Sequence, residues 1–282
     1  MTTQPTTPPR ATAAEPASHL VFDTVCMAFG DRQVFDRLSF SFPPARISVI
    51  LGGSGSGKST ALRLIGGLLQ PVSGRIIIDG DDITRLSERQ MYRVRAKLGM
   101  LFQGGALLDS MTVSENLAFP LRERGALASA DIATHVEETL AAVGLDDAED
   151  LLPSQLSGGM TKRAALARAI VARPLILLCD EPFSGLDPIS ARRIEALLCE
   201  INRRFGITVV LVSHDIPSTM RMASRVLVLL PDGAVEGTPE ELRASRDPRI
   251  ASFLTPDLDA AALHEAGRVE ALPGRAQGAT PW

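Results

Sequence analysis

Ile47-Ser48-Val49-Ile50-Leu51-Gly52-Gly53-Ser54-Gly55-Ser56-Gly57-Lys58-Ser59-Thr60 is the stretch that decides the fold. An unbroken apolar run of strand length, residues 47–51, gives way to a glycine-rich turn and then to a helical pattern over residues 58–69. Residues 52–59 match the spacing G-x-x-x-x-G-K-[ST]. Between a strand and a helix, such glycines let backbone N–H groups close around phosphate oxygens, and the helix N-terminus adds partial positive charge. Lys58 supplies a point charge at the β- and γ-phosphates, and the Ser59 hydroxyl can ligate Mg²⁺. Thr60, next along the helix, joins the phosphate-binding set. The bland alternative is a Gly/Ser-rich turn with a chance lysine, and the strand–loop–helix context argues against it. The loop alone does not say which nucleotide binds or what its energy does.

Outward from this segment, short apolar runs recur without alternation at residues 98–102, 175–179, 208–212 and 226–230. Continuous Val/Ile/Leu runs of this length suit parallel strands buried on both faces. Residues 38–42 instead alternate with period two, as a half-buried strand does, and Gly30-Asp31 supplies a turn between them and residues 20–29. Helical patterns separate the runs: Ile194, Leu197, Leu198 and Ile201 share one face, as do Ile132, Val136, Leu140 and Val143, with Gly144 placed as a C-cap. Alternating strands and helices predict an α/β core. Residues 104–173 hold no convincing strand and read as a helical subdomain inserted into it. No internal repeat is evident.

Composition narrows the classes. The chain has 282 residues, 45% of them hydrophobic, which excludes a wholly disordered protein. A net charge of -4 and 4% aromatics argue against a nucleic-acid partner. Three scattered cysteines form neither a disulfide framework nor a zinc site. No apolar run approaches the ~18 residues that cross a membrane. Residues 1–18, rich in Pro, Thr and Ala without an apolar core, read as a disordered tail, not a signal peptide. Residues 255–282 read as a second tail, leaving one domain over residues 19–254.

The run 175–179 ends in Asp180-Glu181. A buried strand releasing two carboxylates at its C-terminal edge places them where open α/β sheets bind ligands. Asp180 then suits Mg²⁺, and Glu181 suits a general base on water. An acidic pair at a helix entrance reads equally well in isolation; the upstream loop favours the functional assignment.

Together with these motifs, Leu156-Ser157-Gly158-Gly159-Met160 resembles the signature of ATP-binding-cassette (ABC) proteins. Gln103 is similar to the family's Q-loop residue, Ser184-Gly185-Leu186-Asp187 to its D-loop, and His214 to its switch histidine. Phe29 stands where an aromatic stacks on adenine. Each also has a plain reading: Ser157 as an ordinary N-cap, Gln103 as a loop amide, His214 and Phe29 as core. The resemblance covers residues 20–230. It implies a P-loop NTPase (RecA-like) α/β core with an N-terminal antiparallel β subdomain and an inserted helical signature subdomain. It also implies ATP and Mg²⁺, with Ser59, Gln103 and Asp180 at the metal and Glu181, His214 and Gln103 catalytic. Ser157, Gly158 and Gly159 would face the γ-phosphate held by a second subunit, so the chain should form a homodimer.

Phe102-Gln103-Gly104-Gly105-Ala106-Leu107-Leu108 and Glu115-Asn116-Leu117-Ala118-Phe119-Pro120-Leu121-Arg122-Glu123 resemble the lipid-transporting Mla/Mce branch, as do Lys162-Arg163-Ala164-Ala165-Leu166-Ala167-Arg168-Ala169 and Arg246-Asp247-Pro248-Arg249 before Phe253-Leu254. That branch implies an ATPase on the cytoplasmic face of the inner membrane, with a permease, a periplasmic Mce-domain lipid carrier and a STAS-domain protein as partners. Apolar residues after Gln103 would form the subdomain's own core, with at least one exposed to receive a permease helix. Two departures from the family are Met160 in place of Gln and Gly53 in place of Pro. The alternatives are a soluble ABC ATPase of cofactor assembly, an importer ATPase for another hydrophobic cargo, and a nucleotide sensor without turnover.

Overall fold

The computed structural model describes residues 18–125 and 128–254. Both expected tails, apart from Ser18, lie outside the described residues. The order is β1 (Leu20–Phe29), β2 (Arg32–Phe42), β3 (Ile47–Gly52), α1 (Lys58–Ile65), β4 (Ser73–Ile78) and β5 (Asp81–Asp82). Then come α2 (Glu88–Arg95), β6 (Leu98–Leu101), α3 (Val113–Arg124), α4 (Ser129–Ala142), α5 (Gly158–Ile170) and β7 (Ile176–Asp180). The chain continues through α6 (Pro188–Phe205), β8 (Thr208–Ser213), α7 (Ile216–Met222), β9 (Arg225–Leu230) and β10 (Gly233–Gly237). Two short helices, α8 (Pro239–Arg243) and α9 (Pro248–Leu254), follow.

One sheet has the order β10-β9-β3-β8-β7-β6, and the other β2-β1-β4-β5. In the first, β3 pairs in parallel with β8 and β9, β8 with β7 and β7 with β6; β10 runs antiparallel at the edge. The continuous apolar runs are these parallel strands, and every residue of β3 and β8 is buried. The second sheet is antiparallel throughout and opens with the β1–β2 hairpin around Gly30 and Asp31. Phe22 stacks on Phe40, with ring centroids 4.4 Å apart, and Phe42 lies beside them. Helix α1 sits between the sheets: Ala61, Leu62, Leu64 and Ile65 join one cluster with Leu20, Ile76 and Ile78 of one sheet and Ile50, Leu178 and Val212 of the other.

Three elements differ from expectation. Helix α1 ends at Ile65, not at residue 69. Gly67 takes a left-handed conformation, φ +63°, and the Leu68 N–H bonds the Arg63 carbonyl, closing the helix early. Strands β4 and β5 lie in a stretch with no alternation of polarity; pairing with β1 reveals β4, and pairing with β4 reveals β5.

Between β6 and β7 the described residues form only helices and turns. The Thr112 side chain caps α3 through the Glu115 N–H, and Glu115 returns a bond to the Thr112 N–H. Gly144, φ +66°, ends α4, with the Leu145 N–H on the Leu140 carbonyl. Residues 240–254 form a separate unit, in which Asp247 accepts from the Arg249 N–H and guanidinium.

Helix α5 approaches β6 so closely that a Cβ built on Gly99 would overlap the Ala169 carbonyl oxygen. Gly99→Ala is therefore expected to destabilise the fold by about 1–3 kcal/mol, as overpacking does. Urea denaturation checks this, and unchanged stability would contradict the close approach of α5.

Candidate functional site

Parallel pairing brings the C-terminal ends of β3, β8, β7 and β6 to one edge of the sheet, where such folds bind ligands. β3 delivers Gly52 and the loop after it. Gly55 (φ +76°) and Gly57 (φ +98°) both need left-handed backbone, and a Cβ on Gly57 would also strike Val34 and Phe35 at 2.7 Å. Helix α1 starts with no capping side chain and no acid in its first turn, so nothing there would compete with an anion for its N–H groups. The Lys58 ammonium lies over the loop, donating to the Gly52 carbonyl at 2.8 Å and the Gly53 carbonyl at 3.0 Å.

β7 delivers Asp180 opposite this loop. The Ser59 hydroxyl donates to Asp180 Oδ1 at 3.2 Å. Burial raises the Asp180 pKa above the usual carboxylate value, with the Ser59 bond working in the other direction. Glu181 follows in a left-handed conformation, φ +47°. Its carboxylate lies 4.0 Å from Lys58 Nζ on one side and 2.9 Å from His214 Nδ1 on the other. Only 14% of its side chain is exposed. Gln103, two residues beyond β6, donates through Nε2 to Ser184 Oγ at 3.2 Å, and the Ser184 N–H bonds the Glu181 carbonyl. Cys179 is fully buried and its thiol pKa is pushed up by burial, which suits a packing residue, not a nucleophile.

A cavity of about 470 Å³ gathers Phe29, Lys58, Gln103, Glu181 and His214 with Ser54, Gly55, Gly57, Ser59 and Thr60. Phe29 is 48% exposed at its mouth, free to stack on a base. Arg32 and Val34 also line it, with Arg32 Nη2 donating to the Gly55 carbonyl at 3.3 Å. Sequence reasoning missed both; the turn at Gly30 folds them back beside Phe29. The Ser59 hydroxyl, the Asp180 carboxylate and the Gln103 amide oxygen are the hard donors that suit a Mg²⁺ ion completed by phosphate and water.

The signature residues stand elsewhere. Ser157 caps α5 by accepting from the Met160 N–H at 3.3 Å. Ser157, Gly158 and Gly159 line a second cavity, of about 280 Å³, with Asp187, Ser190 and Arg193. No residue lines both cavities. Asp187 caps α6 through the N–H groups of Ile189 and Ser190, and hydrogen bonding from Ser190 holds its pKa below the usual range. Met160 is half-buried in this second site, where it can pack but cannot donate. Beyond Gln103, Leu117 and Leu121 are buried in the helical core, whereas Leu108 and Phe119 are exposed beside Met100 and Pro120.

Comparison with known proteins bears on the family and the fold. The ABC transporter family profile matches residues 35–184. The chain is 44% identical over 226 residues to the intermembrane phospholipid transport system ATP-binding protein MlaF of Escherichia coli (strain K12), spanning 80% of this chain and 84% of that one. It is 41% identical over 228 residues to the probable ribonucleotide transport ATP-binding protein mkl of Mycobacterium tuberculosis (strain H37Rv), spanning 80% of this chain and 64% of that one. Among solved structures it resembles cbiO1 of Clostridium perfringens, part of the cbiONQ transporter complex (TM-score 0.76, 28% identity, 88% of this chain and 99% of that one). It also resembles the dimeric cassette MJ0796 bound to ADP and Pi (TM-score 0.71, 30% identity, 78% of this chain and 98% of that one).

The raised pKa of Asp180 has a consequence for stability. The fold favours the protonated acid, and this contribution is present at low pH and lost as pH rises through the folded-state pKa. Asp180→Asn, which keeps an acceptor for Ser59 without the charge, is expected to raise the melting temperature of the nucleotide-free protein at pH 7. Calorimetry tests this; a lower melting temperature would contradict the burial argument.

Proposed function

The chain belongs to the ABC transporter family and is an ATP-hydrolysing subunit, and from that premise we propose that it powers phospholipid transport between two membranes through an integral-membrane permease. The observation that supports hydrolysis most directly is Glu181, held between Lys58 and His214 at the mouth of the phosphate loop. The backbone N–H groups of residues 53–59 and the Lys58 ammonium hold the β- and γ-phosphates. Glu181 accepts a proton from the attacking water as its oxygen bonds the γ-phosphorus and the bond to the ADP oxygen breaks. His214, hydrogen-bonded to Glu181, orients that carboxylate. Gln103, hydrogen-bonded to Ser184 beside the loop that carries Glu181, helps place the water. Ser59, Asp180 and Gln103 would hold a Mg²⁺ ion, which would supply positive charge beside the phosphates.

Two copies complete two sites. The second cavity, with Ser157, Gly158 and Gly159 at the start of α5, offers free N–H groups to an anion that its own subunit does not supply. Ser157 of the partner subunit then closes over the γ-phosphate.

The cargo follows from the relatives. The MlaF name specifies intermembrane phospholipid transport, and identity to it extends over most of both chains. A Mce-domain lipid carrier and a STAS-domain protein are the companions this reading expects, with the subunit peripheral on the cytoplasmic face. No helix of the described residues is long and apolar enough to cross a membrane; this reading attaches the subunit through its permease. Leu108 and Phe119 offer the apolar contact. The mkl name gives a second cargo, a ribonucleotide.

Affinity purification of the tagged chain from membranes, followed by analysis of bound proteins and lipids, tests the assignment. A permease with phospholipid is expected, and a purified complex whose ATPase rises with ribonucleotide instead would overturn the cargo. Glu181→Gln should bind ATP but hydrolyse it ~10²–10⁴-fold more slowly, the cost of a lost general base. A wild-type rate in a steady-state phosphate-release assay would remove Glu181 from that role.

A further inference from the structure

We infer that Lys162 is a positioning residue for Gln103, fixing the backbone from which the Gln103 amide reaches the phosphate cavity; the inference rests on the role given to Gln103 above. Lys162 leaves the second turn of α5, is 8% exposed, and donates from its ammonium to the Gln103 carbonyl oxygen. A buried ammonium is costly unless it is hydrogen-bonded, and here it donates to the backbone of the residue that reaches into the phosphate cavity.

The rest of the loop is held from the same side. Arg168, also on α5, donates to the Ala106 carbonyl at 2.7 Å and the Gly105 carbonyl at 3.2 Å. Ala106 is left-handed at φ +53°, a conformation that a non-glycine residue keeps only when its surroundings impose it. Asn116 of α3, fully buried, accepts from the Leu108 N–H and donates to the Leu108 and Met111 carbonyls. These handles on residues 103–111 all come from the inserted helices.

The Gln103 side chain points the other way, to Ser184 Oγ at 3.2 Å, beside the loop that carries Glu181. Gln103 therefore spans from the signature helix to the catalytic edge, with Lys162 as its anchor on the α5 side. Without that anchor the amide loses its fixed origin, while residues 52–60 continue to hold the nucleotide. Loss should therefore appear in turnover and not in nucleotide binding.

A double-mutant cycle on the steady-state ATPase of the full chain tests this, using Lys162→Met, Gln103→Ala, the pair together, and Lys162→Arg. Lys162→Met should lower kcat about tenfold to a hundredfold and leave KM for ATP within about twofold. Lys162→Arg, which keeps a charged donor, should recover most of the loss. In the Gln103→Ala background, Lys162→Met should cost nothing further, because residues acting as one unit are not additive. Losses that multiply independently would overturn the positioning role while leaving Gln103 in place. A wild-type kcat for Lys162→Met would overturn it as well. Wild-type turnover by Gln103→Ala would instead remove the role of Gln103, and the inference with it. Thermal melts accompany each variant; if Lys162→Met does not fold, Lys162→Gln takes its place in the same cycle.

Discussion

β3 lies between β8 and β9, with Leu51 opposite Ser213 and Gly52 opposite Leu229. Apolar packing on both faces buries the whole strand, so neither face can turn to solvent without exposing core. The parallel ladder then fixes where β8, β7 and β6 end. Asp180 stands opposite Val212, and Cys179 opposite Leu101, so the polar groups that follow each strand emerge along one line. Lys58, Asp180, Gln103 and His214 meet there because their strands are buried and parallel.

At that edge the chain changes direction under strain. Glu181 is left-handed, a conformation that costs an L-residue roughly 1–2 kcal/mol. Three contacts hold it: its N–H on the Val212 carbonyl, its carbonyl on the Ser184 N–H, and its carboxylate on His214. The strain turns the carboxylate back toward the phosphate loop, as in other functional sites where backbone strain sets a side chain's aim. The same neighbourhood carries the cost of a half-buried Asp180, so this edge is not arranged for stability alone.

Much of this was legible in the sequence. Continuous apolar runs located the parallel strands to within a residue, because a strand buried on both faces needs apolar residues throughout. The glycines of residues 52–57 announced their backbone role through chemistry, not through pattern. Other elements were not legible for physical reasons. β4 pairs with β1 some fifty residues earlier in the chain, and its three successive isoleucines obscure alternation. Helix α1 stops at Gly66-Gly67, yet Leu68 and Leu69 continue its apolar pattern past the stop. Helix α2 carried a readable signal, Ser87 followed by Gln90, whose side chain accepts from the Ser87 N–H at 2.9 Å. Arg32 and Val34 enter the cavity only because the hairpin folds them against the loop.

Separation of the two cavities is the feature with the largest consequence. Residues 157–159 fall between Gln103 and Asp180 in sequence, yet they line a different surface. On the proposed reading, a phosphate loop that lacks its signature partner within one subunit is half of a site, which a second copy would complete. The most direct test is the mass of the Glu181→Gln protein by light scattering, with and without ATP and Mg²⁺. The account predicts a monomer without nucleotide and twice that mass with ATP, reverting when ADP replaces it. A monomer that binds ATP and stays monomeric would contradict the split site.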